Sequence, residues 1–184
     1  MGKIRREIIC HFVPGETVEV GHVKVTTLPT PHDAVDPCAF VVDDGQCTVG
    51  ILTDLGHGFP GLRKILCDLD VVFMESNYDE ATLADNMFYP EPLKRRIRGN
   101  HGHLENEESA NLLRDFADDR LQVVLLCHLS AENNTPELAL RTHKRVLANR
   151  FPAVDIHVAP RHGVSPLIDS ARLKLGRKTQ LAFF

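Results

Sequence analysis

Three short apolar runs, at residues 71–74, 123–127 and 156–158, recur through the later half of the chain with helical patterns between them. Runs of that length have the character of strands buried on both faces, so the later half reads as alternating strand and helix. The earlier half is patterned differently. Residues 17–20 and 23–27 alternate around Gly21-His22, and a two-residue Gly-X connection between β-prone segments predicts a hairpin. Residues 39–42 and 48–52 flank Asp43-Asp44-Gly45-Gln46, whose Asp-Gly pair tolerates a tight turn, and they predict a second hairpin.

The helices are placed from their ends. Asn106 is expected to cap a helix running to about Ala117, with Glu107 and Glu108 against the positive end of the dipole and Leu112, Leu113 and Phe116 on the apolar face. Thr135-Pro136-Glu137 sets a cap and a first-turn proline ahead of Leu138, Ala139, Val146 and Leu147, predicting a helix to near Asn149. Shorter helices are expected at residues 60–67, 79–84 and 90–98. A composition of 43% hydrophobic and 25% charged residues excludes disordered and coiled-coil classes. The 184 residues therefore read as one α/β (α+β) domain, residues 1–170, followed by a basic tail, 171–184, with Arg172, Lys174, Arg177 and Lys178 facing solvent.

The apolar run around Leu121 to Leu129 falls short of the roughly 18 residues of a membrane span, and MGKIRR lacks a signal-peptide apolar region, so no membrane partner and a cytoplasmic location are expected. Cys10, Cys38, Cys47, Cys67 and Cys127 are odd in number with no Cys-x-x-Cys, and read as small buried hydrophobes in a reducing compartment. A net charge of −4 argues against a chain coated by nucleic acid along its whole surface, while leaving room for local basic patches.

Ionisable groups recur just past the carboxyl ends of the expected strands, where α/β sheets carry ligand-binding loops. His32 and Asp33 follow the strand ending near Leu28, Asp54 follows 48–52, Glu75 and Asn77 follow 71–74, His128 ends 123–127, and His162 follows 156–158. With the strands side by side, these residues share one rim. Taken singly, a loop histidine is ordinarily a satisfied polar residue and Asp54 a turn former. Together, two imidazoles and a carboxylate are the ligand types that hold zinc or a similar divalent metal.

The segments PHDAVDP (31–37), TDLG (53–56), ESNYD (75–79), YPEPLKRRI (89–97), GHLENE (102–107) and HLSAENNTPELA (128–139) resemble, in order and spacing, the metallo-β-lactamase superfamily, and within it the WalJ-like branch of exonucleases. The likeness runs from about residue 17 to residue 166. It implies a four-layer αββα sandwich with two divalent metals, zinc or manganese, at the edge of its sheets. His32 would then stand on the first metal, Asp54 would bridge both, and His128 would stand on the second. The same resemblance makes His103 a phosphate ligand or proton donor to the leaving oxygen, so that Asp54 and His103 carry the catalysis, with Asn77 and Asn133 as hydrogen-bonding neighbours of the substrate. Tyr78 stands where relatives carry His, and Glu105 replaces a common Ser.

Lys94, Arg95, Arg96 and Arg98 form the one concentrated basic stretch, and guanidinium groups bind phosphate bidentately. At helical spacing at most two reach a substrate, and Lys94 and Arg96 are the candidates.

The family's His-x-His-x-Asp-His loop has no counterpart: His101-Gly102-His103-Leu104-Glu105-Asn106 carries Glu and Asn where Asp and His belong. Only 31 residues precede His32, so the chain is expected to match the C-terminal two-thirds of a full-length member, a partial sandwich. Two cations sharing three ligands are poorly held, and at most one metal, weakly bound, is expected here. An apolar sheet face left open would favour self-association. The expected function is a metal-dependent phosphodiesterase using a metal-activated hydroxide, with nucleic acid as substrate and DNA ahead of RNA. The alternatives are a hydrolase of another substrate class in the same superfamily, and a non-catalytic remnant or binding module that keeps the scaffold.

Overall fold

The computed structural model describes residues 11–165, 167–169 and 173. Both hairpins form, as β1 (Thr17–Val20) with β2 (Val23–Pro29) and β3 (Cys38–Asp43) with β4 (Thr48–Leu52). The second turn is tied by Asp43 Oδ1 accepting from Gly45 N and Asp44 Oδ1 accepting from Gln46 N and Cys47 N. After β4 the connections lengthen to carry helices: α1 (Pro60–Leu66), β5 (Val71–Glu75), α2 (Glu80–Asp85), α3 (Glu91–Arg98), α4 (Asn106–Phe116), β6 (Val123–Cys127), α5 (Pro136–Leu147) and β7 (Asp155–Val158). The seven strands form one sheet in chain order, antiparallel from β1 to β4 and parallel from β4 to β7. The switch follows from connection length, because a tight turn can only reverse a strand whereas a helical crossover restores its direction.

One face of the sheet is closed by helices. Leu52, Val72, Met74, Val124 and Leu126 meet Leu62 and Leu66 of α1, Leu113 of α4 and Leu147 of α5 in a single buried cluster. The opposite face is also apolar, with Val71, Val123 and Leu125 buried and Val49 and Phe73 only partly so. Among the described residues it meets no helix layer, only Ile168 and Leu173, beside an open apolar groove of about 350 Å³. One sheet and one helix layer are thus half of the four-layer sandwich.

The cap of α4 differs from expectation. Glu105, not Asn106, is the N-cap, its Oε2 accepting from Glu107 N (2.7 Å) and Glu108 N (3.1 Å). Burial pushes the Glu105 carboxyl up to about 7 against the pull of the Glu108 N–H. Asn106 is fully buried instead, accepting from Ser76 Oγ and Asn134 Nδ2 and donating to Asn134 Oδ1, so it stitches three loops together beneath the rim. Of the cysteines, Cys47 is buried and Cys38 and Cys127 are half-buried. Cys67 corrects the expectation of burial: it is exposed at the end of α1, where its thiol meets the Phe116 carbonyl at 3.1 Å. Cys10 and the tail residues Arg172, Lys174, Arg177 and Lys178 lie outside the described residues.

Helix α5 begins as expected, with Thr135 Oγ1 accepting from Leu138 N, and it buries His143 completely. His143 Nδ1 donates to Ala139 O, and Ser109 Oγ lies 3.1 Å from its Nε2 and 2.5 Å from the Glu75 carbonyl, linking both long helices to the end of β5. Burial pushes the His143 imidazole down to about 4, opposed only by the Ala139 carbonyl. The unfolded chain therefore takes up this proton first. Stability from this group is complete above its ordinary value of 6.5 and is lost as the pH falls toward 4, by about 3 kcal/mol in all. Urea unfolding of a His143→Phe variant should show a flatter stability profile between pH 7 and 4 than the parent chain, and an equal slope in both would contradict this source of acid sensitivity.

Candidate metal centre

Parallel register sets the centre. Leu52 pairs with Met74 and Met74 with Leu126, so the residues just past β4, β5 and β6 emerge at one edge. Two of them leave their strands in the left-handed region, Asp54 at φ 53° and His128 at φ 58°. That conformation costs a residue with a side chain about 1–2 kcal/mol, and such positions concentrate at functional sites. Asn77 supports the bend by donating from Nδ2 to the His128 carbonyl at 2.8 Å.

His32 arrives from the opposite side, on the loop between β2 and β3. That loop is pinned to residues 101–102: His32 Nδ1 donates to Gly102 O (2.8 Å), and Asp33 N donates to His101 O (3.1 Å). A Cβ on Gly102 would overlap the Ile97 and Arg96 carbonyls, so the close approach that holds His32 requires glycine there. With its Nδ1 engaged, the ring turns Nε2 toward Asp54.

Asp54 Oδ1 is the common vertex, 3.3 Å from His32 Nε2, 3.7 Å from His128 Nε2 and 3.6 Å from His103 Nδ1. Ligand bonds of 2.0–2.2 Å in a tetrahedron place neighbouring ligand atoms about 3.4 Å apart, so Asp54 stands near ligand spacing from His32 on one side and from His128 on the other, while the group whose ligand atoms all lie within 4.8 Å of one another is Asp54, Glu75, His103 and His128, without His32. His103 lies between the two other rings, with centroids 4.8 Å from His32 and 5.2 Å from His128.

Behind them stands Glu75, fully buried at the end of an otherwise apolar strand. Its Oε1 accepts from His103 Nδ1 (2.7 Å) and His128 Nδ1 (3.1 Å), and its Oε2 accepts from Leu55 N (2.8 Å). Although Asp54, Glu75, His103 and His128 have ligand atoms within 4.8 Å of one another, both Glu75 oxygens are engaged away from the cleft. It therefore orients imidazoles and leaves their Nε2 atoms free, as carboxylates behind metal-bound histidines do. Burial alone would raise the Glu75 carboxyl, but the His103, His128 and Leu55 hydrogen bonds outweigh it and hold it low. In return Glu75 raises His128, against burial and the nearby Arg161 charge.

Of the expected substrate residues, Asn77 borders the cleft with its amide already braced on His128, and Asn133 is buried, its Oδ1 accepting from Asn86 Nδ2 at 2.7 Å. Lys94 is not brought to the centre. It is buried with Nζ donating to Ala84 O at 2.6 Å, because its position on α3 faces α2. Arg96 does reach the rim, but in a two-point pair with Asp33 (2.6 and 3.1 Å) that holds the Asp33 carboxyl below its usual range. His162 stands exposed on the loop after β7. Sequence reasoning noted Glu75 without giving it a role; the signal available was a single acid closing a strand of four apolar residues.

No family model matches the chain. It is 33% identical over 160 residues to the exodeoxyribonuclease WalJ of Streptococcus pneumoniae, covering 86% of this chain and 57% of that protein. It is 29% identical over 139 residues to the exodeoxyribonuclease YycJ of Bacillus anthracis, covering 76% and 52%. The chain thus spans a little over half the length of the curated relatives it matches. Among solved structures, the metallo-β-lactamase fold protein YhfI of Bacillus subtilis superposes with a TM-score of 0.56 at 19% identity, over 80% of this chain and 51% of that one. Zn(2+)-bound PqqB of Methylobacterium extorquens gives 0.56 at 16% identity, over 86% and 51%. Sequence likeness to the exonucleases and fold likeness to the solved proteins agree: the chain is WalJ-like in sequence and has the metallo-β-lactamase fold.

Proposed function

We propose that this chain is the metal-binding, phosphate-facing part of a DNA exonuclease. The observation that carries the reading is Asp54 Oδ1 lying 3.3 Å from His32 Nε2 and 3.7 Å from His128 Nε2, in front of a buried carboxylate that fixes the His103 and His128 imidazoles. In this reading Asp54, with His32 on one side and His128 on the other, supplies the ligands for a divalent ion, zinc or manganese. Such an ion supplies Lewis acidity toward a phosphodiester and lowers the pKa of water to near neutrality.

The chain's own groups do the rest. Glu75 Oε1 accepts a hydrogen bond from His103 Nδ1 and so leaves Nε2 for the cleft, which suits a protonated His103 to pass a proton from Nε2 to the leaving oxygen. Asn77 keeps the backbone of His128 in its bent form, which holds that ligand over the edge of the sheet. The relatives named as exodeoxyribonucleases support DNA as the substrate.

A second reading, a binding module without turnover, is favoured by the small donor set, since the sequence holds no His-x-His-x-Asp-His loop. One assay separates them. Linear DNA incubated with the chain in manganese or zinc should release nucleotides, and His103→Gln should slow release about 10²–10³-fold while metal binding persists. Metal retained with no release from the parent chain would assign the module reading instead.

A further inference from the structure

Past His128, away from His32, the cleft continues into a groove of about 690 Å³, within the usual size of a small-ligand site. The two share Asn77, His128 and Ser130, so a ligand can lie across both without leaving the surface. The groove's walls are Leu129, Pro136, Val158 and Pro160. Its charged group is Arg161, on the loop after β7, whose Nη2 donates to the Leu129 carbonyl at 2.6 Å. A neutral carbonyl holds the guanidinium in place without cancelling its charge. Among the described residues Arg161 has no carboxylate partner, whereas Arg96, on the other side of the centre, is paired with Asp33.

We propose that this groove is a nucleotide subsite: the apolar walls receive the base of the nucleotide next to the scissile phosphate, and the Arg161 guanidinium binds the phosphate flanking it. The assignment rests on the phosphodiester reading above. It follows from the combination present: an apolar slot takes a base face without regard to sequence, and a guanidinium with free N–H groups takes a phosphate by its planar fork. An acidic peptide would use the cation and leave the apolar slot unexplained, and a lipid chain would do the reverse. Of the basic run 94–98, Lys94, Arg96 and Arg98 are turned to Ala84, Asp33 and Glu80, and Arg95 is exposed without lining the cleft or the groove, whereas Arg161 lines the groove beside the centre.

The test is fluorescence anisotropy of a labelled single-stranded oligodeoxynucleotide with the full chain in EDTA, where no hydrolysis intervenes, across a salt series. Arg161→Ala should weaken binding about tenfold and make the log K against log[salt] slope shallower by roughly 0.7, the value for one single-strand phosphate contact. Arg161→Lys should restore the slope. An abasic strand of equal length should bind the parent chain about tenfold more weakly with the slope unchanged, since base contact is lost and phosphate contact kept. No binding by the parent chain would overturn the phosphodiester reading and the subsite with it. Binding by the parent that Arg161→Ala leaves equal in strength and slope would overturn the subsite alone, and equal affinity for abasic and ordinary strands would remove the base from the slot.

Discussion

Asp54→Asn is expected to leave the chain folded and to reduce its affinity for a divalent cation by well over 100-fold. Asp54 Oδ1 lies within 3.7 Å of a ring nitrogen of His32, His103 and His128, so its negative charge stands where a cation held by these rings would sit. Losing an outer partner of a ligand costs 10–100-fold in metal affinity, and losing the charged ligand itself costs more. Asparagine keeps the shape of the side chain and tolerates its left-handed backbone, so stability should change by less than about 0.5 kcal/mol. Alanine at the same φ would add about 1 kcal/mol of backbone strain, which makes Asn the cleaner probe. Calorimetric titration with zinc and urea unfolding read the two quantities, and unchanged zinc affinity in a folded Asp54→Asn chain would discard the ligand role.

Glu75→Gln is expected to damage both stability and the site, although it alters a single atom. The carboxylate receives three N–H donors, and an amide can present only one oxygen to them, so its NH₂ must face a buried donor. An unsatisfied buried group of this kind costs about 1–3 kcal/mol, and freed imidazoles should lower metal affinity a further 10–100-fold. The sign with pH is fixed by the lowered carboxyl. Because Glu75 ionises more readily in the folded chain than at its ordinary 4.5, its stabilisation is complete above that value and is lost as the pH falls through its depressed folded value. The glutamine variant should therefore lose this part of the acid limb of the stability profile. Equal stability of parent and variant at pH 7, with equal zinc affinity, would contradict the orienting role.

Much of this was legible in the chain because local pattern and global fold agree. Apolar runs bounded by turn residues gave β5, β6 and β7, and the polar residue just past each run marked the rim, since parallel strands end at one edge. What was illegible depends on contacts between distant segments. Arg96 and Asp33 are 63 positions apart, and helical spacing alone cannot announce that they pair. Lys94 looked like a phosphate ligand because its type is charged, yet its neighbour in space is the end of α2. Asn106 has the side chain of a cap, and burial among Ser76 and Asn134 assigned it other partners, leaving the longer Glu105 to reach the helix N–H groups. Glu75 was hidden for the same reason: its role is set by rings 28 and 53 residues away.

The most direct test is ¹⁵N NMR of the histidine rings during a zinc titration of the chain and of Asp54→Asn. The Nε2 resonances of His32 and His128 should shift together as zinc is added, the buried His143 should stay where it is, and none of the three should respond in Asp54→Asn. Zinc bound at one equivalent with the His32 and His128 rings unmoved, or bound equally well by Asp54→Asn, would show that the metal sits elsewhere.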